Sequence, residues 1–193
     1  FWKSESVSGS FTKKLKEKMI VYKDIFTGDE VLSDSFPVKK VEGVEGLIEA
    51  ESAMVAVGGD VDIGCGNAFG GQEEEEAVDS DVVKENNISG SSGFGYMEMP
   101  FGSKNEFKMW FKEYVRKLRQ ELKGAGTPVE EIKKFMDEAP VFFKWLLEKF
   151  DDLQFFVSKS MNPDGGIIFS YYKDGAMTPT FIYIEKGYKI SKF

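Results

Sequence analysis

Apolar residues recur at three- and four-residue spacing through residues 103–150, a pattern typical of amphipathic helices. The first apolar run begins at a capping box that starts at Ser103, and it ends in a glycine-containing link at Gly124. The second run begins at another capping box, which starts at Thr127, and it contains Pro140, which should kink the helix. Because the link is short, the pattern predicts an antiparallel helical hairpin.

A cationic stripe lies along one flank of the apolar face of the first predicted helix. Its members share that flank at about 100° per residue. They are Lys108, Lys112, Arg116, Arg119 and Lys123. Two interpretations stay open. The stripe is either a solvated helix face whose stems cover the edge of the core, or a docking strip for an acidic partner such as the tubulin tails.

Shorter apolar runs on both sides of the hairpin predict strands bounded by turn residues. Before the hairpin the runs cover 19–26, 31–39 and 47–57, and a further strand within 78–88 would pair with 94–97. After the hairpin a β-meander covers 153–192, with strands at 153–159, 166–172, 178–185 and 188–192. The chain is therefore predicted to be an α+β protein of mostly antiparallel strands.

Two segments lack these patterns. Residues 1–18 carry scattered aromatics and a basic run, and they are interpreted as a mostly disordered extension, with a docking element as the alternative. Residues 58–100 are rich in glycine, serine and glutamate, and few of them can build a core. This composition predicts a mobile acidic loop within a single domain that spans 19–193.

Composition excludes several classes of function. The net charge of −8 argues against general nucleic-acid binding, which needs a basic surface. The chain has no histidine and one cysteine, Cys65, so histidine-based catalysis, an intrachain disulfide and a zinc cluster are excluded. No apolar run approaches the roughly 20 residues of a membrane span. A lone thiol favours a reducing, cytoplasmic setting and a monomer, with a Cys65-linked dimer open under oxidation.

The glycine-rich and acidic stretches match no standard nucleotide or calcium motif. The spacing around Gly64 matches neither a dinucleotide fingerprint nor a P-loop, so no nucleotide is expected. An EF-hand needs glycine at its sixth and glutamate at its twelfth position, and counts from Asp60 and from Asp79 both fail. The acidic loop is then either solvated or a weak, non-standard calcium site. The candidate ligands are Asp60, Asp62, Glu73, Glu74, Asp79 and Asp81.

Three separated motifs resemble those of the translationally controlled tumour protein family. They are the strand 19–24 with its following turn, a first signature at 63–68, and a second signature within 150–172. The resemblance covers 19–193 and implies a β-tent domain with a projecting helical hairpin and a mobile acidic loop. The fold is similar to that of a small zinc-holding, exchange-factor-like chaperone, although this chain lacks the cysteines for that metal.

The resemblance also implies a cytoplasmic, non-enzymatic regulator of growth and survival. Its implied partners are calcium, tubulin and microtubules, with the tubulin contact on the hairpin, and small Ras-family GTPases. Glu30 matches the family residue proposed to face the GTPase, and its alternative interpretation is a turn carboxylate beside Asp29. Lys159 stands where the family usually has glutamate, which reverses a charge on the proposed GTPase face.

Overall fold

The computed structural model of the protein describes residues 19–58 and 83–193. The hairpin consists of helices α1 (Lys104–Gly124) and α2 (Val129–Glu148). The strands before it are β1 (Ile20–Asp24), β2 (Glu30–Ser33), β3 (Val38–Lys40), β4 (Leu47–Glu51), β5 (Met54–Val57), β6 (Val83–Asn86) and β7 (Met97–Glu98). Those after it are β8 (Gln154–Val157), β9 (Ile168–Tyr171), β10 (Thr180–Ile184) and β11 (Tyr188–Lys192).

The strands form three antiparallel sheets. A six-stranded sheet has the order β3-β4-β10-β9-β8-β7, a three-stranded sheet has the order β11-β1-β2, and β5 pairs with β6. The predicted α+β class is confirmed. Neither helix in the described part of the chain has a stretch that is both long and apolar enough to cross a membrane. The predicted extension at 1–18 lies outside the described residues.

The six-stranded sheet is the middle layer of the fold, and β10, one of its two central strands, is buried along its whole length. Successive side chains of a strand point to opposite faces. Ile182 and Ile184 accordingly pack in the core beneath the helical hairpin. Phe181 and Tyr183 pack in a second core against Leu32 and the rest of the three-stranded sheet. One strand therefore serves two hydrophobic cores.

The hairpin is attached to this sheet through an aromatic cluster centred on Phe107. The ring centroid of Phe107 lies 5.5 Å from that of Phe155 on β8 and 6.0 Å from that of Phe169 on β9. It also lies 5.7 Å from the ring centroid of Phe143 on α2. Ring pairs at such separations contribute about 0.5–1.5 kcal/mol beyond the area they bury. The cluster thus joins both helices to the sheet.

The two helix starts differ in how they are capped. Ser103 caps α1 as predicted, because its Oγ accepts from the backbone N–H of Glu106 at 3.2 Å. The Glu106 carboxylate accepts from the N–H of Gly102 at 2.8 Å, one residue before the cap. The capping box predicted at Thr127 is wrong. Pro128, extended at ψ 139°, occupies the N-cap without a side-chain hydrogen bond, and the helix starts at Val129.

Two strands predicted as continuous are each divided between sheets. The run 31–39 becomes β2 and β3, since Pro37 lacks the N–H that a continuing ladder needs. The run 47–57 becomes β4 and β5, and the break lies at Ser52. The Ser52 hydroxyl donates to the carbonyl of Pro179 at 2.6 Å and accepts from the Asn86 amide at 2.7 Å. These contacts redirect the chain away from the six-stranded sheet.

The part of the predicted loop that is described, 83–100, is more ordered than its composition indicates. Its strands do not pair with each other as predicted, because β6 pairs with β5 and β7 pairs with β8. Ile88 and Tyr96 are buried in the second core. The Tyr96 hydroxyl donates to the carbonyl of Val31, and the Tyr183 hydroxyl lies 3.0 Å away. Two side chains therefore anchor this segment.

The predicted meander is present in β8, β9 and β10, which are consecutive neighbours in the six-stranded sheet. Its last member behaves differently. After a short 3-10 turn at Glu185–Gly187, β11 leaves that sheet and pairs with β1, with Tyr188 opposite Asp24. The strand was predicted with the right bounds and placed in the wrong sheet.

The aromatic cluster yields a stability prediction. Phe107→Ala should lower the free energy of unfolding by about 3–5 kcal/mol, because it leaves a cavity beneath both helices. Urea unfolding followed by circular dichroism measures this change. Met109→Ala is the matched control on the same helix. Because Met109 is 74% exposed, this substitution should change the free energy of unfolding by less than about 0.5 kcal/mol. A loss below about 1 kcal/mol for Phe107→Ala would contradict this account of the hairpin's attachment.

Candidate functional site

All five basic residues of the predicted stripe are exposed on α1. They are Lys108, Lys112, Arg116, Arg119 and Lys123. Their exposure follows from the burial of the adjacent apolar face, which runs from Phe107 to Leu122. Because that face is fixed against the sheet and α2, the neighbouring flank is turned to solvent. We call these five residues the cationic flank.

One member of the cationic flank has an ionic partner. Arg116 makes two hydrogen bonds to the Glu113 carboxylate, from Nε at 3.0 Å and from a terminal nitrogen at 2.5 Å. The hydrogen bond from Arg116 lowers the pKa of Glu113 below its ordinary value. Among the described carboxylates, none forms a salt bridge with the other four members. Most of the positive charge of the flank is therefore not neutralised by described residues.

A second basic side chain on α1 has a structural role. Lys117 bonds the Asp164 carboxylate through its Nζ at 2.8 Å. Asp164 lies in the connection between β8 and β9, so this ion pair links the helix to the ends of two strands of the sheet. Lys117 thereby differs from the cationic flank, whose one described salt bridge, Arg116 to Glu113, stays within α1.

A groove lies between the two helices beside the cationic flank, and the apolar periodicity does not indicate it. It encloses about 400 Å³, and its floor includes Val115, Met136, Pro140 and Phe143. Lys112, Arg116 and Arg119 form its rim on α1. The pattern predicts that Met136 faces the core, but it does not show that the two helices leave its side chain partly open. We call this feature the interhelical groove.

Glu30 lies at the start of β2, an edge strand of the three-stranded sheet. Its carboxylate lies 3.0 Å from the Nζ of Lys23 on β1, and both side chains are partly exposed. An exposed pair of this kind adds little to stability. Glu30 is therefore an accessible carboxylate rather than part of the core.

The neighbouring Asp29 connects this edge to the segment that carries Lys159. Its carboxylate accepts from the Ser158 hydroxyl at 2.6 Å and also from the Ser160 hydroxyl. Burial opposes ionisation of Asp29, but these hydrogen bonds hold its pKa below the ordinary value. Lys159, between the two serines, is exposed. The hydrogen bond between Asp29 and Ser158 thus brings the segment of Glu30 next to the segment of Lys159.

The calcium candidates cannot be placed. Asp60, Asp62, Glu73, Glu74, Asp79 and Asp81 all lie outside the described residues, as does Cys65. Within 19–58 and 83–193, no group of three or more cysteine, aspartate or glutamate side chains is arranged to hold a metal ion.

The chain is similar to known proteins in both sequence and fold. A sequence model of the translationally controlled tumour protein family matches residues 19–189. The translationally controlled tumor-associated protein p23fyp from Schizosaccharomyces pombe is 30% identical, with a TM-score of 0.69 over 90% of this chain and 99% of that one. The translationally controlled tumor protein from Caenorhabditis elegans has a TM-score of 0.55 at 24% identity, over 90% and 98% of the two chains. The second likeness bears on the fold alone.

Proposed function

The chain belongs to the translationally controlled tumour protein family, whose members are regulatory proteins rather than enzymes, and from that premise we propose that it binds tubulin and microtubules through the cationic flank. The proposed setting is the cytoplasm. The proposed link to cell growth and survival rests on the family resemblance alone.

The observation that carries this proposal is the concentration of exposed positive charge on a protein whose net charge is −8. The flank extends over 16 residues from Lys108 to Lys123, and its 15 steps correspond to about 22 Å at the helical rise. Acidic segments such as the tubulin tails complement a strip of this sign and length. Since the Debye length is about 8 Å at physiological ionic strength, the attraction acts at short range and weakens with salt.

Regulation of a small Ras-family GTPase is the second candidate. The observation that favours it is the contact between Asp29 and Ser158, which brings the segment of Glu30 next to the segment of Lys159. The accessible Glu30 carboxylate suits contact with a basic patch on a partner. Lys159 opposes the same contact, because it presents a cation on the adjoining segment.

Calcium binding is proposed as weak and as a property of the acidic stretch at 60–81. Oxygen ligands are what calcium prefers, and six candidate carboxylates stand in this stretch. They lack EF-hand spacing, so the expected affinity is at the weak end of the range for protein sites.

Reversing three charges of the cationic flank should weaken microtubule binding at least about tenfold. The variant combines Lys112→Glu, Arg116→Glu and Arg119→Glu, and it replaces attraction to acidic tails by repulsion. Co-sedimentation with microtubules over a range of salt concentrations measures it. The matched control reverses three exposed lysines elsewhere, at Lys84, Lys189 and Lys192. Equal pelleting of both variants at physiological salt would rule out the flank as the contact.

The GTPase candidate predicts opposite effects of two single substitutions. If the protein accelerates nucleotide release from a Ras-type GTPase, Glu30→Ala should abolish the acceleration and Lys159→Glu should increase it several-fold. Release of a fluorescent nucleotide is the measurement, with Lys84→Glu as the control for charge alone. Glu30→Ala should retain the fold because its ion pair with Lys23 is exposed. No acceleration by the unmodified protein would exclude this function.

Calorimetry on the whole chain should give a calcium dissociation constant no tighter than about 10⁻⁴ M. A variant with four substitutions should lose the heat of binding, because the amide retains the shape of each side chain without its charge. The substitutions are Asp60→Asn, Asp62→Asn, Asp79→Asn and Asp81→Asn. The control variant carries Asp151→Asn and Asp152→Asn, which change two exposed acidic residues after α2. Micromolar binding would mean that the carboxylates form a far better site than their spacing indicates.

A further inference from the structure

The interhelical groove is longer than the part beside Pro140. Arg119 and Met136 also line an adjoining hollow of about 540 Å³ near the end of the hairpin, together with Val129 and Ile132. The two hollows share Arg119 and Met136 in their linings, and together they extend along α1 from Lys112 to Lys123. The 11 steps between these two residues, at 1.5 Å each, give a length of about 16 Å, which matches about three turns of a helix lying in the groove.

The floor of the groove is apolar and adaptable. Val129 is exposed at the distal end, and Pro140 is exposed at the proximal end. Met136 lies between them, and its flexible thioether adjusts to differently shaped partners. An apolar floor that is open to solvent favours a ligand with apolar anchor residues.

The rim of the groove is positively charged along α1 and, at the distal hollow, also on α2. Lys112, Arg119 and Lys123 line it on α1, and Lys133 lines it on α2. Arg116 is also at the rim, although Glu113 shares its charge. A ligand lying in the groove therefore meets apolar side chains beneath it and cations along its edges. Such a ligand needs an apolar stripe bordered by acidic residues.

The backbone around the groove selects the conformation of the ligand. Both walls are α-helices, whose backbone groups are bonded within each helix, so the walls have no free strand edge to which an extended peptide could add. A groove between two helices instead suits a third helix, which inserts side chains at i, i+3 or i+4, and i+7. A second copy of this chain is disfavoured, because a self-complementary contact would bring cationic rims together.

We propose that the interhelical groove binds an amphipathic helix of a partner protein, about three turns long, with an apolar stripe flanked by aspartate or glutamate. This ligand differs from a disordered acidic tail, which needs only the cationic flank. The inference therefore holds whether or not tubulin is the physiological partner.

Two labelled peptides test the proposal. One is about 14 residues long, helix-stabilised, with leucines at helical i, i+3 and i+7 spacing and glutamates on both flanks. The other has the same composition and helix-stabilising link, with its leucines distributed around the helix. Fluorescence anisotropy should show about tenfold tighter binding of the patterned peptide, because only that peptide inserts its leucines together.

Two adjacent substitutions on α2 locate the binding site. Pro140→Glu places a carboxylate in the floor and should weaken binding of the patterned peptide about tenfold. Val141→Glu is the matched control, since Val141 is 59% exposed and does not line the groove. Pro140→Ala separates loss of the ring from gain of the charge and should have a smaller effect. Circular dichroism establishes that each variant is folded.

Three results would overturn the proposal. The first is equal affinity for the two peptides, which would mean that charge alone attracts them. The second is an equal effect of Pro140→Glu and Val141→Glu. The third is a dimer in sedimentation velocity that Pro140→Glu dissociates, since a second copy would then occupy the groove. A preference for the patterned peptide that persists in about 0.5 M salt would support apolar insertion, because salt screens only the charges.

Discussion

Burial of the Phe107 ring between the sheet and the two helices is the contact on which the surface chemistry depends. The ring faces Phe155 and Phe169 below it and Phe143 beside it. This packing fixes the rotation of α1 about its axis. Once the apolar face packs against the sheet, the helical geometry determines which side chains of α1 are exposed to solvent. The cationic flank and the rim of the interhelical groove are therefore consequences of the core.

The same constraint explains how an acidic protein presents a basic surface. The basic side chains adjoin the buried face because their long apolar stems can lie along its edge while their charges stay in water. On the opposite side of the six-stranded sheet, Asp29 and Glu30 lie at the edge of the three-stranded sheet. The cationic flank and the edge that carries Glu30 thus lie on different layers of the fold. That edge carries both signs of charge, because Lys23 pairs with Glu30 and Lys159 is exposed on the adjoining segment.

The hairpin was predictable because the information that specifies it is local. Helical periodicity, the Ser103 cap and the glycine link are all read within a few residues of where they act. The division of the early strands was not predictable on that basis. Ser52 interrupts its strand through a bond to Pro179, which is 127 residues away. Burial of Tyr96 likewise depends on distant Val31 and Tyr183, so composition alone assigned its segment to a loop.

The candidate site shows the same division. Periodicity identified all five cations of the flank, because a helix places its own side chains. It could not identify the groove, because the groove is formed jointly by side chains of α1 and α2, among them Met136 and Pro140. The acidic stretch at 60–81 is the opposite case, since its composition indicates a ligand class and its residues lie outside the described part. The proposed contact between Glu30 and a GTPase rests on the family resemblance, because neither periodicity nor composition indicates it.

Pairing of β1 with β11 has a consequence for the order of events during synthesis. β1 is the central strand of the three-stranded sheet. Its neighbour β11 emerges from the ribosome only after both helices and the meander have been made. Until then β1 has β2 alone as a neighbour, and an isolated two-stranded ribbon is marginally stable in water. The nascent polypeptide therefore carries an unfinished layer until β11 has emerged. Completion of that layer follows synthesis of both helices and of the meander.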